Sequence, residues 1–129
     1  MSKSKQRGTT FETAVVNYLN NHGVKCERRA LSGKNDKGDV AGIGHSILEL
    51  KATKSYDLAS MMNEARVERD NAQEHFAFGV QKRFRSSIDR SYVVLELREA
   101  VAIFKILGDI NVERLETYQS NKKLTKGAQ

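Results

Sequence analysis

Asp39, Glu49 and Lys51 are the residues whose types and spacing could do chemistry. In GDVAGIGHSILELK, residues 38–51, Asp39 opens one extended run, and Glu49 and Lys51 close the next. A strand's period of two puts Ile47, Glu49 and Lys51 on one face and Leu48 and Leu50 on the other. If the two runs pair as a hairpin about Gly44-His45, both carboxylates lie close on one side of the sheet. Two hard oxygen ligands at a partly open site suit Mg²⁺, with Mn²⁺ as a substitute, because such ions take oxygen donors and keep waters for exchange. A lysine on the same face can orient the attacking water or help deprotonate it, and can offset charge building on a phosphorane. Together these groups are equipment for hydrolysing a phosphodiester.

An acid-x-lysine triplet arises by chance roughly once in a chain of this charge content, and a salt-bridged strand face would also produce one. Its context gives it weight. The triplet ends an apolar strand, an acid opens the preceding strand after a glycine, and both follow a basic loop. A Glu and a Lys projecting together from an otherwise apolar strand are normally avoided in a core.

The elements that must position these groups can be read in order. Residues 1–8 are polar and small and predict a flexible basic arm, with Lys3, Lys5 and Arg7 able to reach a phosphate. From Thr9 or Thr10 the apolar positions Phe11, Ala14/Val15 and Tyr18/Leu19 recur at helical spacing and stop at Gly23. Glu12 falls in that helix's first turn, where the dipole favours an anion. VKCERR (24–29) reads as a strand, and ALSGKNDKG as a polar, cationic loop before Asp39.

His45 at the hairpin turn reads as a surface residue, since no second His or Cys lies at metal spacing along the chain. Asp57 can cap a helix with Leu58, Met61/Met62, Ala65 and Ala72 on one face and Glu64, Arg66, Glu68, Arg69 and Asp70 on the other. HFAFGVQKRF predicts a buried central strand, and FRSSIDRS a second basic loop. YVVLEL predicts a strand and EAVAIFKILG a helix ending at Gly108. NVERLETYQ predicts a last helix, and residues 121–129 a frayed tail. The result is an α/β fold, a central mixed β-sheet flanked by helices, in a single domain spanning 1–129.

Size and composition agree. A chain of 129 residues can bury roughly two-thirds of the surface its unfolded form exposes. The lone Cys26 excludes a disulfide framework and a cysteine metal site, which fits a reducing cytoplasm. No apolar run approaches membrane-span length, and no apolar segment opens the chain, so a soluble cytoplasmic protein with no membrane partner is expected. The net charge is +6 and the pI about 9.5. Residues 1–37 hold 8 of the 22 Lys/Arg but only 3 of the 16 Asp/Glu, so the positive field gathers upstream of Asp39. That field makes the chain a candidate for a polyanionic partner.

The order of helix with an early Glu, strand, Ser/Gly-containing loop, D-(x)9-E-x-K across a hairpin, helix and strand resembles the PD-(D/E)XK nuclease superfamily. It looks most like the archaeal and phage Holliday junction resolvases. The resemblance runs from Arg7 to about Leu97, carried by RGTTFE, RRALSG, GDVAGIG and ILELKATK. It implies a restriction-endonuclease-like core in a bacterial, archaeal or phage-encoded protein. It also implies Asp39 and Glu49 as metal ligands, with the Leu50 carbonyl as an added ligand, Lys51 as the catalytic lysine, and Glu12 as the helix-borne acid that joins them. Ser32 would contact the scissile phosphate region. Arg7, Arg28, Arg29, Lys34, Lys37 and Lys54 would bind DNA backbone, with Lys82, Arg83 and Arg85 as further candidates.

The implied activity is Mg²⁺-dependent endonucleolytic cleavage of branched DNA, four-way junctions foremost, by a homodimer that presents two sites to two symmetry-related strands. A flap- or restriction-like nuclease, an RNA-acting one, and a non-catalytic structure-specific DNA-binding module are the alternatives. The chain departs from the family pattern at Gly38, where the superfamily's proline would precede Asp39, and in the segment after Leu97, which is longer than the minimal resolvase core.

Overall fold

Apolar residues on both faces of SILELK require cover on both sides, and the fold supplies a helix for each. The structure, a computed structural model, describes residues 2–29 and 38–110 together with Glu113, Arg114 and Glu116. The elements are α1 (Lys3–Asn21), β1 (Glu27–Arg28), β2 (Val40–Ala41), β3 (Ser46–Lys51), α2 (Leu58–Ala72), β4 (Phe76–Gln81), a 3₁₀ turn (Ile88–Arg90), β5 (Tyr92–Val94) and α3 (Leu97–Asp109). The chain divides into two units, Met1–Glu96 with the whole sheet and Leu97–Gln129 beginning with α3. The protein is α/β with a five-stranded mixed sheet in the order β1-β2-β3-β4-β5.

β2 and β3 form the expected antiparallel hairpin, with Val40 opposite Leu48. β4 pairs parallel to β3 from Ser46↔Phe76 to Lys51↔Gln81, and β5 returns antiparallel. Parallel neighbours need a crossover, and α2 is that crossover. On one face Phe11 and Val15 of α1 pack on Val40, Leu48, Leu50 and Val80. On the other Met61, Met62 and Ala65 of α2 pack on Ile47 and Ala77. Each large side chain so buried contributes about 1.5–3 kcal/mol.

Gly79 lies beside Glu49 in the β3–β4 register, and a Cβ there would stand 2.5 Å from Met61 Cε. The bare backbone lets α2 seat its methionines at this point. Asp57 caps α2 by accepting the Ser60 N–H at 3.0 Å, as its residue type predicts.

Several boundaries differ from the sequence expectation. α1 starts at Lys3, so residues 3–8 are helical turns rather than an arm. Ser2 caps them by accepting the Lys5 N–H at 3.2 Å, and the polar composition together with Gly8 hid them. The strand expected over 24–29 contracts to Glu27–Arg28. β5 ends at Val94 and Leu97 already begins α3, which runs one residue past Gly108. Glu68, expected on the solvent face of α2, is buried. The loop over 30–37 and the frayed tail lie outside the described residues, as does most of the last expected helix.

Candidate active site

β3 places the acid and the lysine as strand parity requires. Ile47, Glu49 and Lys51 face α2 while Leu48 and Leu50 face α1. Glu49 is 6 % exposed, close to the carboxyl end of a buried strand. Lys51, one pleat further, is half-buried, with its Nζ 3.6 Å from Glu49 Oε1 and 2.8 Å from Glu64 Oε2. Partial burial alone would lower the pKa of this ammonium. The hydrogen bond to Glu64 and the charges of Glu49, Glu64 and Asp39 outweigh it and hold the pKa above its ordinary 10.5. Lys51 is therefore a cation at neutral pH, able to offset negative charge beside it.

Asp39 is held immediately before β2 begins. Its N–H donates to the Leu48 carbonyl at 2.9 Å, its carbonyl accepts from the Arg29 N–H at 2.8 Å, and its Oδ2 accepts from the Leu50 N–H at 2.7 Å. Amide and carbonyl of one residue leave a strand on the same side. The Leu50 carbonyl thus points to the side of β3 on which Asp39 sits. Gly38 has φ +95°, and a Cβ there would meet Ile47 Cβ and the Leu48 carbonyl at 3.2 Å. Proline, locked near φ −65°, cannot occupy that conformation, so glycine before Asp39 is a consequence of this local backbone.

The carboxylates that come within 4.8 Å of one another here are Glu49, Glu64 and Glu68. Asp39 and Glu12 are not in that group. Asp39 lies on the β2 side of β3, near enough for its charge to act on Lys51. Glu12 is on α1, across the sheet from α2, and its Oε2 accepts from Arg28 Nε at 2.6 Å. Arg28, expected on DNA, is thus engaged by Glu12. Sequence reading missed Glu64 and Glu68, although a signal was present. Met61, Glu64, Ala65 and Glu68 fall at i, i+3, i+4 and i+7, so the two acids lie along the stripe of α2 that meets β3, Glu68 buried and Glu64 exposed at its margin.

Cations collect at this end of the sheet. The Lys82 N–H donates to the Lys51 carbonyl at 2.9 Å, which fixes the exit of β4 beside the end of β3. The Lys54 and Lys82 ammonium groups lie 5.6 and 5.3 Å from the centre of the Phe84 ring. Lys3, Gln6, Arg7 and Thr10, one face of α1 at helical spacing, line a groove of about 470 Å³ together with Lys82. The amino-terminal cations are thus a helix face. Gln81, beside Lys51 in the register, is fully buried and donates from Nε2 to the Thr53 carbonyl at 3.1 Å, which fixes the chain leaving β3. Ser32, Lys34 and Lys37 lie outside the described residues.

No described helix is long and apolar enough to cross a membrane. Compared with known proteins, the chain matches no family model, no curated protein and no solved structure.

Proposed function

We propose that the protein is a Mg²⁺-dependent endodeoxyribonuclease with a restriction-endonuclease-like core that hydrolyses phosphodiester bonds in branched DNA, four-way junctions foremost. The observation that carries the proposal is the pairing of Glu49 and Lys51 at the carboxyl end of β3, with Asp39 tied to the Leu50 amide at the hairpin edge and near enough for its charge to act on Lys51. The donor chemistry fits a hard cation. Asp39, Glu49 and the Leu50 carbonyl would hold it, and the oxygens of Glu64 and Glu68 stand beside Glu49. When bound, Mg²⁺ would neutralise the scissile phosphate and make water a better nucleophile.

The chain's own residues do the rest. The Leu50 amide fixes the Asp39 carboxylate, and burial fixes Glu49. Lys51 keeps its positive charge and offsets the negative charge that develops on the phosphorane. Lys54, Lys82 and the Lys3/Arg7 face of α1 bind backbone phosphates and orient the strand, giving recognition by shape with a strong salt dependence. Two copies would serve the two equivalent strands of a junction.

The test is incubation of the protein with junction, flap, splayed and linear duplex DNA in Mg²⁺ at low salt. Cleavage of the junction above duplex is expected. Failure to cut any of the four overturns the proposal, and equal cutting of duplex and junction reassigns the substrate to a restriction-like class.

A further inference from the structure

At the opposite end of the β3–β4 pair the sheet assembles a different donor set. His45 closes the β2–β3 turn, and Glu74 and His75 lead from α2 into β4. The register that pairs Ser46 with Phe76 sets the preceding residues, His45 and His75, side by side. The His45 carbonyl accepts the N–H groups of both His75 and Phe76, at 3.1 and 2.9 Å, so backbone bonds tie the two segments together. The imidazole centroids are 5.6 Å apart with planes at 76°. One ligand atom from each of His45, Glu74 and His75 lies within 4.8 Å of the others.

His45 also holds φ 65°, a left-handed conformation uncommon for a residue with a Cβ. The turn thereby brings its imidazole to the His75 side chain.

We infer that His45, Glu74 and His75 form a binding site for a divalent transition-metal ion of the Zn²⁺ class, separate from the acidic site. Two imidazoles and one carboxylate make the N₂O set that such ions take with a further position left for water, whereas Mg²⁺ takes oxygens. Tetrahedral coordination at about 2.0–2.1 Å brings neighbouring donors to roughly 3.3 Å. The present separations close to that value by side-chain rotation, because both histidines are exposed and only Glu74 is half-buried. The backbone bonds hold the segments fixed meanwhile. A bound ion would cross-link the amino ends of β3 and β4 and stabilise the folded chain in proportion to its occupancy. The inference does not depend on the nuclease reading, since a chain that cuts no DNA can still bind Zn²⁺ here.

The test is titration of the chelator-treated full chain with Zn²⁺ followed by calorimetry, and with Co²⁺ followed by its visible absorption, each paired with thermal unfolding. One ion per chain and a raised unfolding temperature are expected. His75→Ala and His45→Asn, the latter chosen because asparagine tolerates the left-handed backbone, should each bind at least roughly tenfold more weakly, since losing a ligand costs no less than losing a ligand's outer-shell partner. Both variants should keep the metal-free unfolding temperature of the parent. Glu49→Gln should bind Zn²⁺ as the parent does. Absence of stoichiometric binding by the parent overturns the inference. So does parental affinity in either histidine variant, or loss of binding on Glu49→Gln.

Discussion

At their carboxyl ends β3 and β4 finish on Lys51 and Gln81, with Glu49, Glu64 and Glu68 gathered against α2 and Asp39 at the hairpin edge. At their amino ends the same strands are preceded by His45 and His75, with Glu74 alongside. The first end is oxygen-rich, partly buried and paired with Lys51, while the second is imidazole-rich and open. One pair of strands thus presents an oxygen donor set, proposed for a hard cation, and an imidazole donor set, proposed for a softer one, some six residues apart along each strand. The difference lies in where the donors come from. At the carboxyl end they come from strand parity and from the side of a helix that meets that strand. At the amino end they come from turn residues that only the strand register brings together.

The largest expected effect separates the two ends. Lys51→Ala should lower junction cleavage by about 10²–10³-fold or more, as loss of one preorganised charge at a developing anion does. Junction binding should change little, and so should Zn²⁺ uptake at His45 and His75. Because Lys51 is held as a cation, Lys51→Arg should keep more activity than Lys51→Ala, by about tenfold. An arginine variant no better than alanine, in single-turnover cleavage, would assign Lys51 to proton transfer instead.

Ile47→Ala acts on the strand that both ends share. Ile47 is fully buried between the sheet and α2, so the loss should be about 2–5 kcal/mol in urea unfolding. Cleavage and Zn²⁺ affinity should fall together. Gly79→Ala is milder. Its methyl group would displace the flexible end of Met61 at a cost of about 1–3 kcal/mol and lift α2, with Glu64 and Glu68, away from Glu49. It should impair the carboxyl end alone, as parallel assays of cleavage and metal uptake would show.

Smaller still is the effect of single cations. Replacing Lys3, Arg7 or Lys82 by Gln should each lower the slope of log affinity against log salt by about one and weaken junction, flap and duplex alike. An unchanged slope would remove the groove from the DNA path.

The smallest effect concerns pH. The folded pKa of Lys51 is raised above its unfolded value. The stability it contributes is therefore fully present below its ordinary value of 10.5 and lost as pH rises through the folded value. The stability difference between the parent and Lys51→Met should accordingly stay flat from neutral pH to about 10 and shrink only beyond it.

Much of this was legible in the residues. A period of two placed Glu49 and Lys51 on one face, Gly44-His45 marked the hairpin, and Asp57 marked the start of α2. Those are local rules acting over a few residues, where sequence spacing and spatial spacing coincide. The first turns of α1 were harder to read. Their polar residues carry no periodic signal, and the glycine among them reads as a break.

By itself the sequence determined the parity of β3, the caps, the two apolar faces that demand two covering helices, and the placing of Glu49 and Lys51 on one face of β3. The tertiary structure alone decided three things. Parallel pairing brought His75 beside His45 from thirty residues downstream. The seating of α2 over Gly79 turned Glu64 and Glu68 onto Glu49. The approach of α1 to β1 gave Glu12 to Arg28. Each depends on contacts between residues far apart in the chain, which no local spacing encodes and only the packed sheet can fix.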